Sequence, residues 1–187
     1  NTGVVALFQI PSHIFREYDI RGIADTELTD ETVILIAQAY GTWLAARGVK
    51  HAALGGDARL STKRIKTAAA AGLMKAGINV TDIGLCSTPT FYCSLYRFEV
   101  NGGIMVTGSH NPKEFNGLKV AYEKSTLWGN DIMEIYRIIK EERLLTADIP
   151  GTFSSADITA EYIQMLIGKI TLGKRPLKVV CDCGNGT

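Results

Sequence analysis

The chain has 187 residues, of which 46% are hydrophobic and 21% are charged. This length and apolar content suit one full domain plus part of another. Basic and acidic residues nearly cancel at a net charge of +1, and no basic run is long enough to indicate a nucleic-acid partner. No stretch approaches the roughly 20 apolar residues that cross a bilayer. The composition predicts a soluble, cytoplasmic protein without a membrane partner.

The first half of the chain alternates helical and strand patterns. Thr29 is placed to cap a helix that ends before Gly48, and residues 51–55 are apolar with the length of a buried strand. Ser61 begins a second helix that ends at Gly77. Its inner face is predicted to hold Ile65, Ala69, Leu73 and Ala76.

The same rhythm continues to residue 142. A strand is predicted at 78–83, a short helix at 90–97 with Thr88 as its cap and Pro89 in its first turn, and strands at 103–106 and 118–122. A helix follows at 130–142. Strands alternating with helices predict a three-layer α/β/α domain with a mixed, mostly parallel sheet.

Pro150, Gly151 and two serines mark a predicted domain boundary. We expect domain one to cover 11–150, and 151–187 to be the truncated start of a second, similar domain. This second part is predicted to contribute one helix at 157–170 and one strand at 177–181. Cys181 and Cys183 lie two apart in an apolar run and are expected to be small buried core residues.

The polar segment from Thr107 to Gly117 follows a predicted buried strand. Open α/β sheets bind ligands at the carboxyl ends of their strands, so this segment is a candidate site. Gly108 is expected to let the backbone turn tightly before Ser109, with His110 beside the hydroxyl and Lys119 a short strand away. Serine needs a base, a cation or a metal to act as a nucleophile. An ordinary polar turn remains the alternative, because Ser, Asn, Gly and Pro all favour turns.

Four ordered stretches resemble the α-D-phosphohexomutase family. Thr107-Gly-Ser-His-Asn-Pro112 is similar to its phosphoserine loop, and Ile14-Phe-Arg-Glu-Tyr-Asp-Ile-Arg-Gly22 to its N-terminal signature. Gly55-Gly-Asp-Ala-Arg-Leu-Ser61 resembles its second-strand turn, and Val179-Val-Cys-Asp-Cys-Gly-Asn-Gly186 the opening strand of its second domain. Within the family, a glycine at position 108, directly before the serine, is similar to the phosphomannomutase/phosphoglucomutase subgroup, since the related glucosamine enzymes more often have alanine there.

The resemblance implies an enzyme that interconverts hexose 1-phosphates and hexose 6-phosphates of mannose or glucose. A phosphorylated serine gives its phosphoryl group to the sugar, and a bisphosphorylated sugar returns the other one. Mg²⁺ is the implied metal cofactor and a hexose 1,6-bisphosphate the implied activator. The implied partners are a sugar phosphate and the remaining domains of a longer chain, which carry the other metal and sugar contacts. The 187 residues alone are therefore not expected to turn over sugar phosphates efficiently.

The resemblance also implies a role for each matching residue. Ser109 is the implied phosphoryl carrier and, through that phosphoryl group, a metal ligand. His110 and Lys119 are implied proton-transfer or charge-stabilising residues. The implied phosphate-binding residues are Tyr18, Arg21 and Asn111. Asp57 and Arg59 are expected to form an internal ion pair that shapes their turn.

Other functions stay open on the sequence. Within the family, the alternatives are a phosphoglucosamine mutase or a dedicated phosphoglucose mutase. Outside enzymes, the alternative is a non-catalytic module that binds a sugar phosphate or a protein. A serine hydrolase fits poorly, because the loop lacks the Gly-x-Ser-x-Gly turn, and no phosphate-binding P-loop sequence follows a strand.

Overall fold

Strands and helices alternate along the chain in the computed structural model, which describes residues 10–184 and 186. A 3-10 turn at Ser12–Ile14 precedes the first strand. The helices in these residues are Asp30–Ala45 (α1), Thr62–Lys75 (α2), Thr88–Arg97 (α3), Asn130–Lys140 (α4) and Thr159–Ile167 (α5). The strands are Ile20–Ile23 (β1), His51–Gly56 (β2), Asn79–Leu85 (β3), Gly102–Val106 (β4), Phe115–Tyr122 (β5), Ser125–Thr126 (β6) and Phe153–Ser155 (β7). No helix in this part of the chain is long and apolar enough to cross a membrane.

The strands form one mixed sheet in the order β1-β5-β4-β2-β3-β7, with β6 attached to β5. Neighbours β4, β2, β3 and β7 pair in parallel. Strand β5 pairs antiparallel with each of its partners, so it alone runs against the common direction. The predicted mixed, mostly parallel sheet is therefore confirmed.

Helices cover both faces of the sheet. Successive strand residues point to opposite sides, so neighbouring residues of one strand contact different helix layers. Ala52 and Leu54 of β2 face a larger core that holds the inner residues of α1, α2 and α4. Ala53, between them, faces a smaller core built on Phe91 of α3 and Ile158 just before α5. The predicted inner face of α2 is buried throughout, which confirms the three-layer arrangement.

Side-chain caps fix where two helices begin. Thr29 accepts a hydrogen bond from the backbone N–H of Thr32, which confirms the predicted cap of α1. The cap of α3 is Ser87, not Thr88 as predicted. Ser87 has an extended backbone and accepts from the N–H of Thr90, which places Thr88 and Pro89 within the first turn.

The segment after residue 150 adds to the first sheet. Strand β7 pairs with β3 from Val80 to Asp82, and α5 packs near α3. The predicted strand at 177–181 is wrong for the described residues, because no neighbouring strand there satisfies its backbone groups. Cys181 and Cys183 are consequently exposed rather than buried. Asn185, within the fourth signature, lies outside the described residues. The boundary at 150 stays a prediction.

Candidate active site

Three parallel strands end at one cleft, since β2, β3 and β4 are neighbours that run in the same direction. The turn after β2 brings Asp57 and Arg59, the end of β3 leads to Cys86 and Ser87, and the loop after β4 brings Ser109. The cleft has a volume of about 510 Å³. It lies at the carboxyl edge of the sheet, where the sequence placed the candidate site.

Ser109 occupies an unusual backbone conformation. Its φ of 54° is left-handed, which costs a residue with a Cβ about 1–2 kcal/mol. The hydroxyl of Thr107 accepts a 2.9 Å hydrogen bond from the Ser109 N–H and holds this turn. The Oγ of Ser109 lies 3.2 Å from Nδ1 of His110, so an exposed hydroxyl and an imidazole share the tip of the loop.

Arg59 fastens the Ser109 loop to the turn after β2. Its Nη1 donates to the carbonyls of Pro112 at 2.6 Å and Phe115 at 2.9 Å. Its Nη2 donates to the carbonyls of Ser109 at 3.0 Å and Asn111 at 2.5 Å. A single guanidinium therefore binds four carbonyls of the loop that presents the serine, using the fixed geometry of its donors.

Asp57 holds the clamp in place. Its carboxylate lies 3.4 Å from Nε of Arg59 and accepts hydrogen bonds from the Thr62 hydroxyl at 2.6 Å and the Gly108 N–H at 3.2 Å. The predicted internal ion pair is confirmed. Gly108 does not have a left-handed φ, but its carbonyl accepts a 3.1 Å hydrogen bond from the Asn111 N–H, which closes the expected tight turn. Its missing side chain also lets the Arg59 guanidinium approach the backbone.

A second charged group reaches the loop from strand β1. Arg21 is buried, forms an ion pair with Asp19, and donates from Nη1 to Oδ1 of Asn111 at 2.8 Å. Lys119 of β5 brings its Nζ within 3.7 Å of the same Asp19 carboxylate. The antiparallel pairing of β1 with β5 places Arg21 opposite Gly117, at the end of the Ser109 loop. This pairing brings Arg21 and Asp19 close to the loop.

The structure brings together most of the residues that the sequence singled out. Ser109 with His110, and Arg21 with Asn111 and Lys119, form two adjoining groups. Tyr18 does not join them, because its side chain is 66% exposed and makes no hydrogen bond to a described residue of the site. The catalytic and binding roles of all six residues stay predictions.

Sequence reasoning missed the clamp that Arg59 forms on the loop. The arginine was placed in a turn of its own, about fifty positions from Ser109. The available signal was that a strand precedes each segment and that both strands lie in one parallel sheet. If strands β2 and β4 had been paired in advance, Arg59 would have been expected beside the serine.

Cys86 lies in the wall of the cleft but does not form a reactive group. Burial raises the pKa of its thiol, although a hydrogen bond from the Gly56 backbone and the charge of Lys66 act in the opposite direction. A thiol with a raised pKa carries little thiolate, which is the nucleophilic form. Cys86 is also buried whereas Ser109 is exposed, so Ser109 is the better nucleophile candidate in this cleft.

The described residues do not form a metal site by themselves. No group of three or more His, Cys, Asp or Glu side chains comes together among them. The Asp57 carboxylate, which accepts a hydrogen bond from the loop at Gly108, is already occupied by Arg59 and Thr62. The metal ligand that this cleft could provide for a hard cation is an oxygen on Ser109.

Comparison with known proteins decides the family. Residues 12–146 match the family model described as phosphoglucomutase/phosphomannomutase, alpha/beta/alpha domain I. The chain belongs to this family. The match covers both groups of the candidate site, from the Arg21 strand to the Ser109 loop and Lys119.

Named relatives agree with this family membership. The chain is 38% identical to a phosphoglucomutase from Neisseria meningitidis serogroup B, over 95% of the chain and 38% of that protein. It is 37% identical to a phosphomannomutase/phosphoglucomutase from Pseudomonas putida, again over 95% of the chain and 38% of the relative. The chain thus spans well under half the length of these relatives.

A solved structure supports the fold in the same way. A phosphoglucomutase/phosphomannomutase family protein from Burkholderia thailandensis superposes with a TM-score of 0.82 at 32% identity. The superposition covers 88% of this chain and 37% of that one. The sheet and helices described above are therefore the first-domain architecture of the family.

Proposed function

We propose that this chain is the phosphoserine-bearing part of a hexose phosphate mutase. Ser109 carries a phosphoryl group that it exchanges with a hexose 1-phosphate or 6-phosphate of mannose or glucose, by way of a bisphosphorylated sugar. The family membership supports this class of reaction. We also propose that the protein is cytoplasmic.

One observation carries this proposal. Ser109 is held in a left-handed conformation at the tip of a loop that a half-buried ion pair and four arginine contacts fasten to the turn after β2. An ordinary polar turn needs neither the strained serine nor the clamp. Both fix the position of Ser109, which suits phosphoryl transfer because its rate depends on holding the donor and acceptor oxygens in line.

The remaining site residues have distinct proposed tasks. When the phosphoryl group leaves Oγ of Ser109, the P–Oγ bond breaks and a bond from phosphorus to a sugar hydroxyl oxygen forms. The sugar hydroxyl loses its proton as the new bond forms, and His110, whose Nδ1 lies 3.2 Å from Oγ, donates a proton to the leaving serine oxygen. Arg21 and Lys119 supply positive charge near the loop, and Arg21 also holds Asn111. Asn111 and the exposed Tyr18 are the other proposed phosphate-binding residues.

Mg²⁺ and a hexose 1,6-bisphosphate are the proposed cofactor and activator. When bound, the metal neutralises charge on phosphate oxygens. The described residues would give it one ligand, a phosphoryl oxygen on Ser109, and its carboxylate ligands are proposed to belong to the second domain of the family. The bisphosphate loads Ser109 with its first phosphoryl group.

Intact mass and peptide mapping test the proposal. The protein expressed from its full coding sequence is incubated with glucose 1,6-bisphosphate and Mg²⁺. We expect one added phosphoryl group, located on Ser109 and absent from the Ser109→Ala variant. Ser125→Ala is the matched control, because Ser125 is exposed on β6 and should leave the modification unchanged.

An unmodified Ser109 in the folded protein would contradict the proposal. It would favour the alternative of a non-catalytic module that binds a sugar phosphate. If Ser109 is modified, turnover of glucosamine 6-phosphate in place of mannose or glucose phosphates would instead assign the chain to a phosphoglucosamine mutase.

A further inference from the structure

Lys113 lines the cleft without a hydrogen bond or ion pair to Ser109, Arg59 or the other charged side chains of the candidate site. Among the described residues, the cations that line the cleft are Arg59 and Lys113. Arg59 is committed to Asp57 and to four loop carbonyls. Lys113 is exposed and its ammonium group forms no ion pair or hydrogen bond with any described residue.

The other cations near the loop are neutralised in part by one carboxylate. Asp19 pairs with Arg21 and lies 3.7 Å from the ammonium of Lys119. An anion that approaches those residues meets charge that is already shared with Asp19. Lys113 offers a full positive charge within the cleft that holds Ser109.

The backbone beneath Lys113 is fixed although its side chain is exposed. Arg59 binds the carbonyl of Pro112 on one side and that of Phe115 on the other. The N–H of Phe115 also donates to Pro112 at 3.1 Å, which closes a turn around Lys113. A flexible lysine chain on a fixed base can follow a ligand that moves while its anchor stays beside Ser109.

Another part of the cleft lining favours the same type of ligand. Ser87, Thr88 and Pro89 line it with the first turn of α3, a helix of 10 residues. The first turn of a helix carries partial positive charge. An anion in this cleft would therefore be attracted by this turn as well as by Lys113.

We propose that Lys113 is a phosphate-binding residue of this cleft. Its ligand is a phosphate monoester dianion, the sugar-borne phosphate that faces Ser109. The choice of phosphate as the anion rests on the proposed function. Lysine binds phosphate as a mobile point charge, which suits a group that must be held on arrival and then released.

Site-resolved acylation tests this binding directly. The protein from the full coding sequence is treated with a limiting acylating reagent, with and without inorganic phosphate at matched ionic strength, and labelling is mapped by mass spectrometry. We expect phosphate to slow the labelling of Lys113 about threefold or more. Lys63 is the matched control, since it is an exposed lysine on α2 outside this cleft. Equal labelling of Lys113 with and without phosphate overturns the proposal.

Variants separate this proposal from the carrier role of Ser109. We expect Lys113→Ala to raise the half-saturating glucose 1,6-bisphosphate concentration for Ser109 phosphorylation about three- to tenfold, and Lys113→Arg to restore most of it. Lys63→Ala should have no effect. Phosphorylation that is unchanged in Lys113→Ala overturns the lysine proposal alone. Protection of Lys113 without any phosphorylation of Ser109 overturns the carrier role alone.

Discussion

The left-handed backbone at Ser109 gives the side chain its position and has a measurable cost. Glycine adopts a φ of 54° freely, whereas alanine carries the same Cβ strain as serine. We therefore expect Ser109→Gly to be more stable than Ser109→Ala by about 1 kcal/mol in the free energy of unfolding. Urea titration of both variants measures this difference.

Ser125 provides the matched comparison, because its φ is not left-handed. Within a strand glycine is less favourable than alanine, so the order should reverse there, with Ser125→Gly less stable by about 0.5–1 kcal/mol. The same order at both positions would show that Ser109 is not strained in solution.

The clamp formed by Arg59 predicts that lysine cannot replace it. A lysine keeps the charge near Asp57 but lacks the planar fork that reaches four carbonyls. We expect Arg59→Lys to lower the free energy of unfolding by about 1–3 kcal/mol and to slow Ser109 phosphorylation about tenfold or more. Denaturant titration and timed mass spectrometry measure the two effects.

Arg137→Lys is the control for this change. Arg137 forms an exposed ion pair with Glu134 on α4, and such pairs contribute about 0–1 kcal/mol. If Arg59→Lys behaves like Arg137→Lys in both measurements, the loop does not depend on the clamp.

At the scale of helices and strands, local signals predicted most of the structure. The Thr29 cap and the apolar spacing of α2 are local features, and both were read correctly. Ends were less certain where two residues compete, as with Ser87 and Thr88 at the start of α3. The strand predicted at 177–181 failed for a different reason. An apolar run becomes a strand only when a neighbouring strand satisfies its backbone, and no local signal reports that neighbour.

Strand β7 depends on a close approach of the backbone at Gly151. The Gly151 N–H donates to the carbonyl of Met74 at 2.8 Å, and the next residue, Thr152, accepts from the N–H of Val80 at 2.8 Å. A Cβ at position 151 would overlap the carbonyl of Ile78. We expect Gly151→Ala to displace β7, to lower the free energy of unfolding by about 1–3 kcal/mol and to speed hydrogen exchange at Val80.

Gly168→Ala tests whether this effect is specific. Gly168 follows α5 with a helical backbone, and an added Cβ there comes no closer than 3.4 Å to the carbonyl of Gln164. That variant should leave the exchange of Val80 unchanged. If hydrogen exchange at Val80 is as slow in Gly151→Ala as in the unsubstituted protein, β7 tolerates the added Cβ.

Across the whole molecule, the candidate site is assembled by the order of the strands. The sequence predicted the Ser109 loop and the strand that precedes it. It did not predict that β2 lies beside β4, which brings Arg59 to the loop, or that β1 pairs with β5, which brings Arg21 to Asn111. These pairings join residues distant in sequence, so they depend on the packing of the whole sheet.

Helix α5 packs one side against the protein and leaves apolar residues exposed elsewhere. Tyr162 and Met165 of α5 pack against the smaller core beside α3. The other side of this region exposes Ile163, Ile167, Ile170 and Leu172, with exposed fractions of 47%, 60%, 61% and 87%. Contiguous exposed apolar surface favours association, because burying it removes apolar area from water.

We therefore expect the 187-residue chain to self-associate as its concentration rises, and sedimentation velocity to show a growing weight-average mass. The double variant Ile167→Lys with Ile170→Lys should weaken that association about tenfold or more, because each lysine places a charge within the surface that must be buried. Leu60→Lys is the matched control, since Leu60 is fully exposed beside α2, away from this surface. Association of equal strength in the double variant would place the contact elsewhere, and a constant monomer mass would show that the exposed side of α5 does not bind a second copy.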